Sequence, residues 1–118
     1  MKVLLVDDSA TMRRIQATQL ANLGVSNIVQ AVDGEDGLDK LSESMPVDFI
    51  LLDWNMPNMD GMTFLKEVRK NGSYSSVKII MCTSESEKGK VVDALKAGAN
   101  NYMVKPFTPD TLKEKMGL

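Results

Sequence analysis

Phe49-Ile50-Leu51-Leu52-Asp53-Trp54-Asn55-Met56-Pro57-Asn58-Met59-Asp60-Gly61-Met62 is the stretch on which the fold turns. Four consecutive apolar residues make a short strand, and unbroken rather than alternating hydrophobicity suits a parallel strand covered on both faces. An aspartate ends the run and a turn containing proline follows. Asp60-Gly61 then leads into Met62, Leu65 and Val68 at helical spacing. Strand, acidic residue, turn and helix make one βα unit.

The same unit repeats outward in both directions. Apolar runs at residues 3–6, 28–31, 77–82 and 102–104 have the length and residue types of further strands. A first helix is expected from Ser9 or Thr11 to Gly24, with Met12, Ile15, Leu20 and Leu23 on one side and Gln19 as a polar break in that side. Leu38 and Leu41 mark a second, weakened by Gly34 and Gly37. Val91, Ala94 and Leu95 mark a fourth closed by Gly98, with Gly89 early in it costing roughly 0.5–1 kcal/mol relative to alanine. Thr108 caps a fifth, with Pro109 at its first position and Leu112 and Met116 four apart. Residues 71–76 read as a loop. Five βα repeats predict an α/β fold, a doubly wound parallel sheet with helices on both faces. A single domain over residues 1–118 with no further domain is expected.

Composition removes several chemistries. The 118 residues include no histidine and one cysteine, Cys82, so imidazole chemistry and an internal disulfide are both excluded. Cys82 ends an apolar run and reads as a buried, reduced packing residue. A net charge of −2 and a pI near 5.1 argue against nucleic-acid binding. The aliphatic stretches are far shorter than a membrane span, and Met1-Lys2 leads straight into the first strand without a signal peptide. A cytoplasmic protein that does not engage membranes is expected.

In an open parallel sheet, ligands bind beyond the carboxyl ends of the strands. Those ends carry Asp7 and Asp8, then Asp53, then Thr83, then Lys105 before Pro106. Each has a plain structural role open to it. Asp7 or Asp8 could cap the first helix, Thr83 could cap the fourth, and Lys105 could be an exposed charge before a turn. Together they form a set of hard oxygens without His or Cys, which suits magnesium or calcium rather than zinc or copper. A carboxylate beside a metal, an ammonium and a hydroxyl has the parts for phosphoryl transfer.

Six blocks carry a family resemblance: Val6-Asp7-Asp8-Ser9, Ala31-Val32-Asp33-Gly34, residues 53–61, Thr83-Ser84-Glu85, Ala97-Gly98-Ala99 and Val104-Lys105-Pro106-Phe107. In that order they resemble a response-regulator receiver domain from end to end. Thr11-Met12-Arg13-Arg14-Ile15, Trp54 and Tyr102 are similar to its stand-alone chemotaxis branch, the CheY type. The resemblance implies a flavodoxin-like (βα)5 fold with strand order 2-1-3-4-5. It implies Asp53 as phosphoacceptor and Mg2+ held by Asp7, Asp8, Asp53 and the backbone carbonyl of Asn55. It further implies Lys105 and Thr83 on the phosphoryl group, Tyr102 changing rotamer with Thr83, and a cis peptide before Pro106. Asn55 and Glu85 resemble the tuning residues of rapidly dephosphorylating members, so a short-lived phosphoryl group is expected. Gln19 in place of leucine, Gly37 in place of alanine and a short last helix depart from the family pattern.

The implied function is a chemotaxis response regulator, not an enzyme in the turnover sense. A histidine kinase, CheA, donates the phosphoryl group, and the face of the fourth helix, fifth strand and fifth helix then binds the flagellar motor switch protein FliM. The protein is expected to be a monomer, and a dedicated phosphatase is left open. A receiver of another two-component pathway or a phosphorelay is the alternative within the fold. A Mg2+-dependent aspartyl phosphatase would want a second acid where Asn55 stands. A flavin carrier would want a neutral phosphate loop where Asp7-Asp8 stands.

Overall fold

Five strands, β1 (Lys2–Val6), β2 (Asn27–Ala31), β3 (Phe49–Asp53), β4 (Lys78–Thr83) and β5 (Asn101–Val104), alternate with five α-helices. The helices are α1 (Ala10–Asn22), α2 (Gly34–Ser44), α3 (Gly61–Lys70), α4 (Val91–Ala97) and α5 (Pro109–Met116). Short 3₁₀ segments occupy Gly72–Tyr74 and Glu85–Lys90. The computed structural model describes residues 1–118, the side chains of Glu85, Ser86 and Lys88 excepted. Among the described residues no helix is long and apolar enough to cross a membrane.

All strands run parallel in the order β2-β1-β3-β4-β5, the flavodoxin-like arrangement. Strand order reverses between β1 and β3, and the register there places the chemistry. Val6 pairs with Leu52, so Asp7 and Asp53 emerge side by side. Thr83 pairs with Val104, so Lys105 emerges one step beyond Thr83.

Alternate strand residues feed two cores, which is why the runs are apolar without a break. Leu4, Val6, Ile50, Leu52, Ile79 and Met81 pack on one face with Leu41 of α2, Phe64 and Leu65 of α3 and Ala94 of α4. Val3, Leu5, Leu51, Ile80 and Met103 pack on the other with Leu20 of α1 and Leu112 and Met116 of α5. Each fully buried Leu or Ile contributes about 1.5–3 kcal/mol. Cys82 lies in the second core, and burial pushes its thiol up to about 12, so it is an inert packing residue.

The helices begin where side chains satisfy their free N–H groups. Ser9 accepts from Met12 N–H, Asp33 from Asp36 N–H, Asp60 from Thr63 N–H and Thr108 from Thr111 N–H, with Pro109 opening α5. Gly61 N–H donates to Trp54 O at 2.8 Å, and a Cβ there would stand 2.1 Å from Asp53 O. Only glycine lets α3 start this close to the end of β3. Gly98 ends α4 at φ +114°, a left-handed position.

Several expectations need correction. Ile15 is 45% exposed, whereas Gln16 is 1% exposed and points inward with Leu20 four residues on. Packing turns α1 by about one residue from the face its apolar pattern suggests. Gln19 is half-buried, and its Nε2 donates to Phe107 O at 3.1 Å. Leu95 is 42% exposed, leaving Val91 and Ala94 as the buried residues of α4. Gly89 lies in the 3₁₀ segment before α4, not within the helix, and the N-cap position of α4 is held by Lys90 and not by Thr83, the last residue of β4. Residues 71–76 contain a 3₁₀ turn capped by Asn71, whose Oδ1 accepts from Ser73 N–H.

Candidate functional site

At the carboxyl edge of the sheet, carboxylate oxygens of Asp7, Asp8 and Asp53 all lie within 4.8 Å of one another. Asp7 is buried, Asp53 half-buried and Asp8 exposed, so the cluster opens to solvent on one side. Asp7 Oδ1 accepts from Ser9 N–H at 2.9 Å, which fixes the carboxylate as the chain turns into α1. Arg13 donates to the Asp7 backbone carbonyl at 2.6 Å and holds the same turn from the helix. Lys105 reaches in from β5, with Nζ 2.9 Å from Asp53 Oδ1 and 3.3 Å from Asp7 Oδ2. The Lys105–Pro106 peptide that launches this side chain is cis, as is Met45–Pro46.

Three carboxylates face one ammonium in this cluster, leaving two negative charges in excess. Burial pushes the Asp53 carboxyl above its ordinary value, and the Asp7 charge adds to this, while the Lys105 bond opposes both without cancelling them. Burial also disfavours the Lys105 charge, but pairing with Asp53 and Asp7 outweighs it and holds the ammonium above the usual lysine range. The Asp53 carboxyl is thus raised chiefly by burial, and the Lys105 ammonium by its carboxylate partners. An open cluster of hard oxygens with that excess fits a divalent cation such as magnesium or calcium.

The remaining candidates surround this centre. Thr83 is fully buried, and its hydroxyl donates to Ser84 O at 3.2 Å, not to Asp53. Lys105 N–H donates to Thr83 O at 2.6 Å, tying the two strand ends together. Tyr102 is half-buried on β5, with Lys115 Nζ of α5 5.2 Å from its ring centroid. Asn55 is exposed, and its Nδ2 donates to Glu87 Oε2. The Glu85 side chain lies outside the described residues. Trp54 is buried beside Asp53, with Lys90 Nζ 6.0 Å from its ring.

The geometry thus gathers Asp7, Asp8, Asp53 and Lys105 into one centre and leaves Thr83 and Tyr102 at its margin. Glu87 is a residue that the strand-end pattern misses. The spacing Ser84-x-x-Glu87, a capping-box signature, was the signal in the sequence that could have found it.

Residues 3–117 match the response regulator receiver domain. Chemotaxis protein CheY1 of Helicobacter pylori is 47% identical over 116 residues, covering 98% of this chain and 94% of that protein. A chemotaxis protein CheY homolog of Campylobacter jejuni is 48% identical, with 98% and 89% covered. Among solved structures, chemotaxis protein CheY4 of Vibrio cholerae superposes with a TM-score of 0.88 at 36% identity, with 98% and 95% covered. The chain belongs to the response regulator receiver domain family, and within that family it is homologous to the CheY-like chemotaxis regulators.

Proposed function

We propose that the protein is a diffusible cytoplasmic phosphorylation switch of the chemotaxis system, with Asp53 as phosphoacceptor. The observation that carries this is the cluster of Asp7, Asp8 and Asp53 with Lys105 Nζ 2.9 Å from Asp53 Oδ1. An Asp53 carboxylate oxygen attacks phosphorus of a phosphohistidine on the kinase CheA. A P–O bond forms, the P–N bond breaks, and the departing imidazole takes a proton from solvent. Lys105 then faces a phosphoryl oxygen, and its ammonium offsets charge that grows on transfer. Asp7, Asp8, Asp53 and the Asn55 backbone carbonyl would hold magnesium, which would supply positive charge against the phosphoryl oxygens. The protein performs no turnover on an external substrate; it assists its own phosphorylation and dephosphorylation, the latter tuned by Asn55 and Glu85.

A phosphoryl group brings roughly −1.5 to −2 charges and three acceptor oxygens. Thr83 gives up its bond to Ser84 O for one of those oxygens, and Tyr102 follows on the neighbouring strand. The face of α4, β5 and α5 then changes affinity for FliM. Val92 and Leu95 stand exposed on α4 at 58% and 42%, apolar residues available to a partner. Loading with beryllofluoride and Mg2+ should raise affinity for a peptide of the FliM N-terminus at least about tenfold, a bias of about 1.4 kcal/mol. Equal affinity with and without beryllofluoride would favour a receiver of another two-component pathway or phosphorelay.

A further inference from the structure

Glu87 lies in the 3₁₀ segment after β4 and is only 8% exposed. Its Oε1 accepts from Ser84 N–H at 3.1 Å and from Ser84 Oγ at 3.0 Å, while Glu87 N–H donates to Ser84 O at 3.0 Å. This is a reciprocal cap, and alone it would make Glu87 a local structural residue. The second carboxylate oxygen does something a cap does not require. Oε2 accepts from Asn55 Nδ2, 32 residues away on the loop after β3.

The chemistry of that contact is directional. A carboxylate only accepts hydrogen bonds, so the amide must turn its donor end to Glu87. Oδ1 is then the end of Asn55 left for water, on an exposed side chain two residues beyond Asp53. A glutamine at position 87 could hold either end of the amide and would lose this discrimination.

We propose that Glu87 is a positioning residue for Asn55: by engaging Nδ2 it presents Oδ1 as an acceptor to water at the mouth of the acidic cluster, and so sets the rate at which phospho-Asp53 is hydrolysed. The inference rests on Asp53 being the phosphoacceptor. In the step it governs, a water oxygen attacks phosphorus and the P–O bond to Asp53 breaks. The carboxylate is regenerated, inorganic phosphate leaves, and the proton of the attacking water passes to phosphate or solvent. An oriented acceptor holds that water with its lone pair toward phosphorus, the kind of alignment whose loss slows a reaction severalfold or more.

The experiment charges the protein with acetyl phosphate and Mg2+, removes the donor, and follows loss of acid-labile phosphate and recovery of Trp54 fluorescence. Glu87→Ala should slow the decay at least about threefold, and Glu87→Gln by a smaller factor. Thr108→Ala should lower Tm by removing the cap of α5 while leaving the decay rate at the wild-type value. In an Asn55→Ala background, Glu87→Ala should cause no further slowing, because its effect runs through Asn55. Wild-type decay in Glu87→Ala, or full additivity with Asn55→Ala, overturns the proposal. Should Glu87→Ala not fold, Glu87→Gln in both Asn55 backgrounds makes the same comparison. Failure of the underlying reading shows itself earlier and differently, as a wild-type protein that takes up no phosphate on Asp53.

Discussion

Lys105 Nζ donates to Asp53 Oδ1 at 2.9 Å, joining two residues 52 apart across the carboxyl edge of the sheet. The side chains of Lys105, Asp53 and Asp7 are 18%, 13% and 3% exposed, so the ammonium is the local counter-charge in a largely dehydrated place. Its position also makes it a competitor for any cation that the carboxylates bind.

Lys105→Met separates these two roles. Without the ammonium, Asp7 and Asp53 lose their partner, and loss of one member of a buried pair costs about 3–5 kcal/mol. Thermal melting in chelator should therefore show a much less stable protein. Magnesium should recover more stability in the variant than in wild type, because a competing cation is gone and affinity rises by about tenfold. Equal magnesium-induced shifts in Tm for the two proteins would contradict this.

Asp53→Asn has a pH signature in the metal-free protein. The folded Asp53 carboxyl titrates above its ordinary value of 3.8, chiefly through burial. Its contribution to stability is thus fully present below about pH 3.8 and is lost as pH rises through the folded value. Asp53→Asn should accordingly be more stable than wild type at pH 7 in chelator, with the difference shrinking as pH falls toward 4. Chemical denaturation across that range is the check, and a difference that grows toward acid would have the wrong sign.

Gly61→Ala sets helix propensity against sterics. Propensity alone favours alanine by about 0.8–1.0 kcal/mol. The new Cβ would meet Asp53 O at 2.1 Å, a backbone atom that cannot move without moving the acidic cluster. The variant should lose at least about 1–3 kcal/mol and bind magnesium more weakly. A stabilised protein with unchanged magnesium affinity would show that β3 and α3 do not meet this closely.

Arg69→Lys tests the support under the opposite end of the sheet. The guanidinium donates to Gly98 O, Tyr74 O, Val77 O and Asn100 Oδ1 at 2.8–3.0 Å, fastening α3 to the end of α4 and to the start of β4. Lysine carries the charge but cannot place its donors along these directions. A loss of about 2–4 kcal/mol is expected, chiefly from the Gly98 and Val77 carbonyls losing their guanidinium donors, with magnesium affinity within twofold of wild type. A near-neutral substitution would deny that arginine geometry matters here.

How much of this was legible in the sequence depends on how local the cause is. The strands were readable because each run lies between two covered faces and stays apolar throughout. Asp7, Asp8, Asp53 and Lys105 were readable as one group because parallel strands deliver their carboxyl ends to one edge. The inward turn of Gln16 in place of Ile15 was not, since a rotation of one residue about α1 is decided by what packs against it. The orientation of the Thr83 hydroxyl toward Ser84 O was equally hidden, being set by local backbone geometry. The Asn55–Glu87 contact joins the loop after β3 to the 3₁₀ segment after β4, and no periodicity links residues that meet only after the sheet has formed.

Direct mapping of acid-labile phosphate tests phosphorylation of Asp53 most closely. After incubation with acetyl phosphate and Mg2+, one phosphoryl group per chain is expected, located by borohydride reduction and peptide mass spectrometry at Asp53. It should be accompanied by a change in Trp54 fluorescence, with both signals absent in folded Asp53→Asn and absent without Mg2+. Phosphate recovered on another residue, or an undiminished response in Asp53→Asn, would contradict Asp53 as the phosphoacceptor.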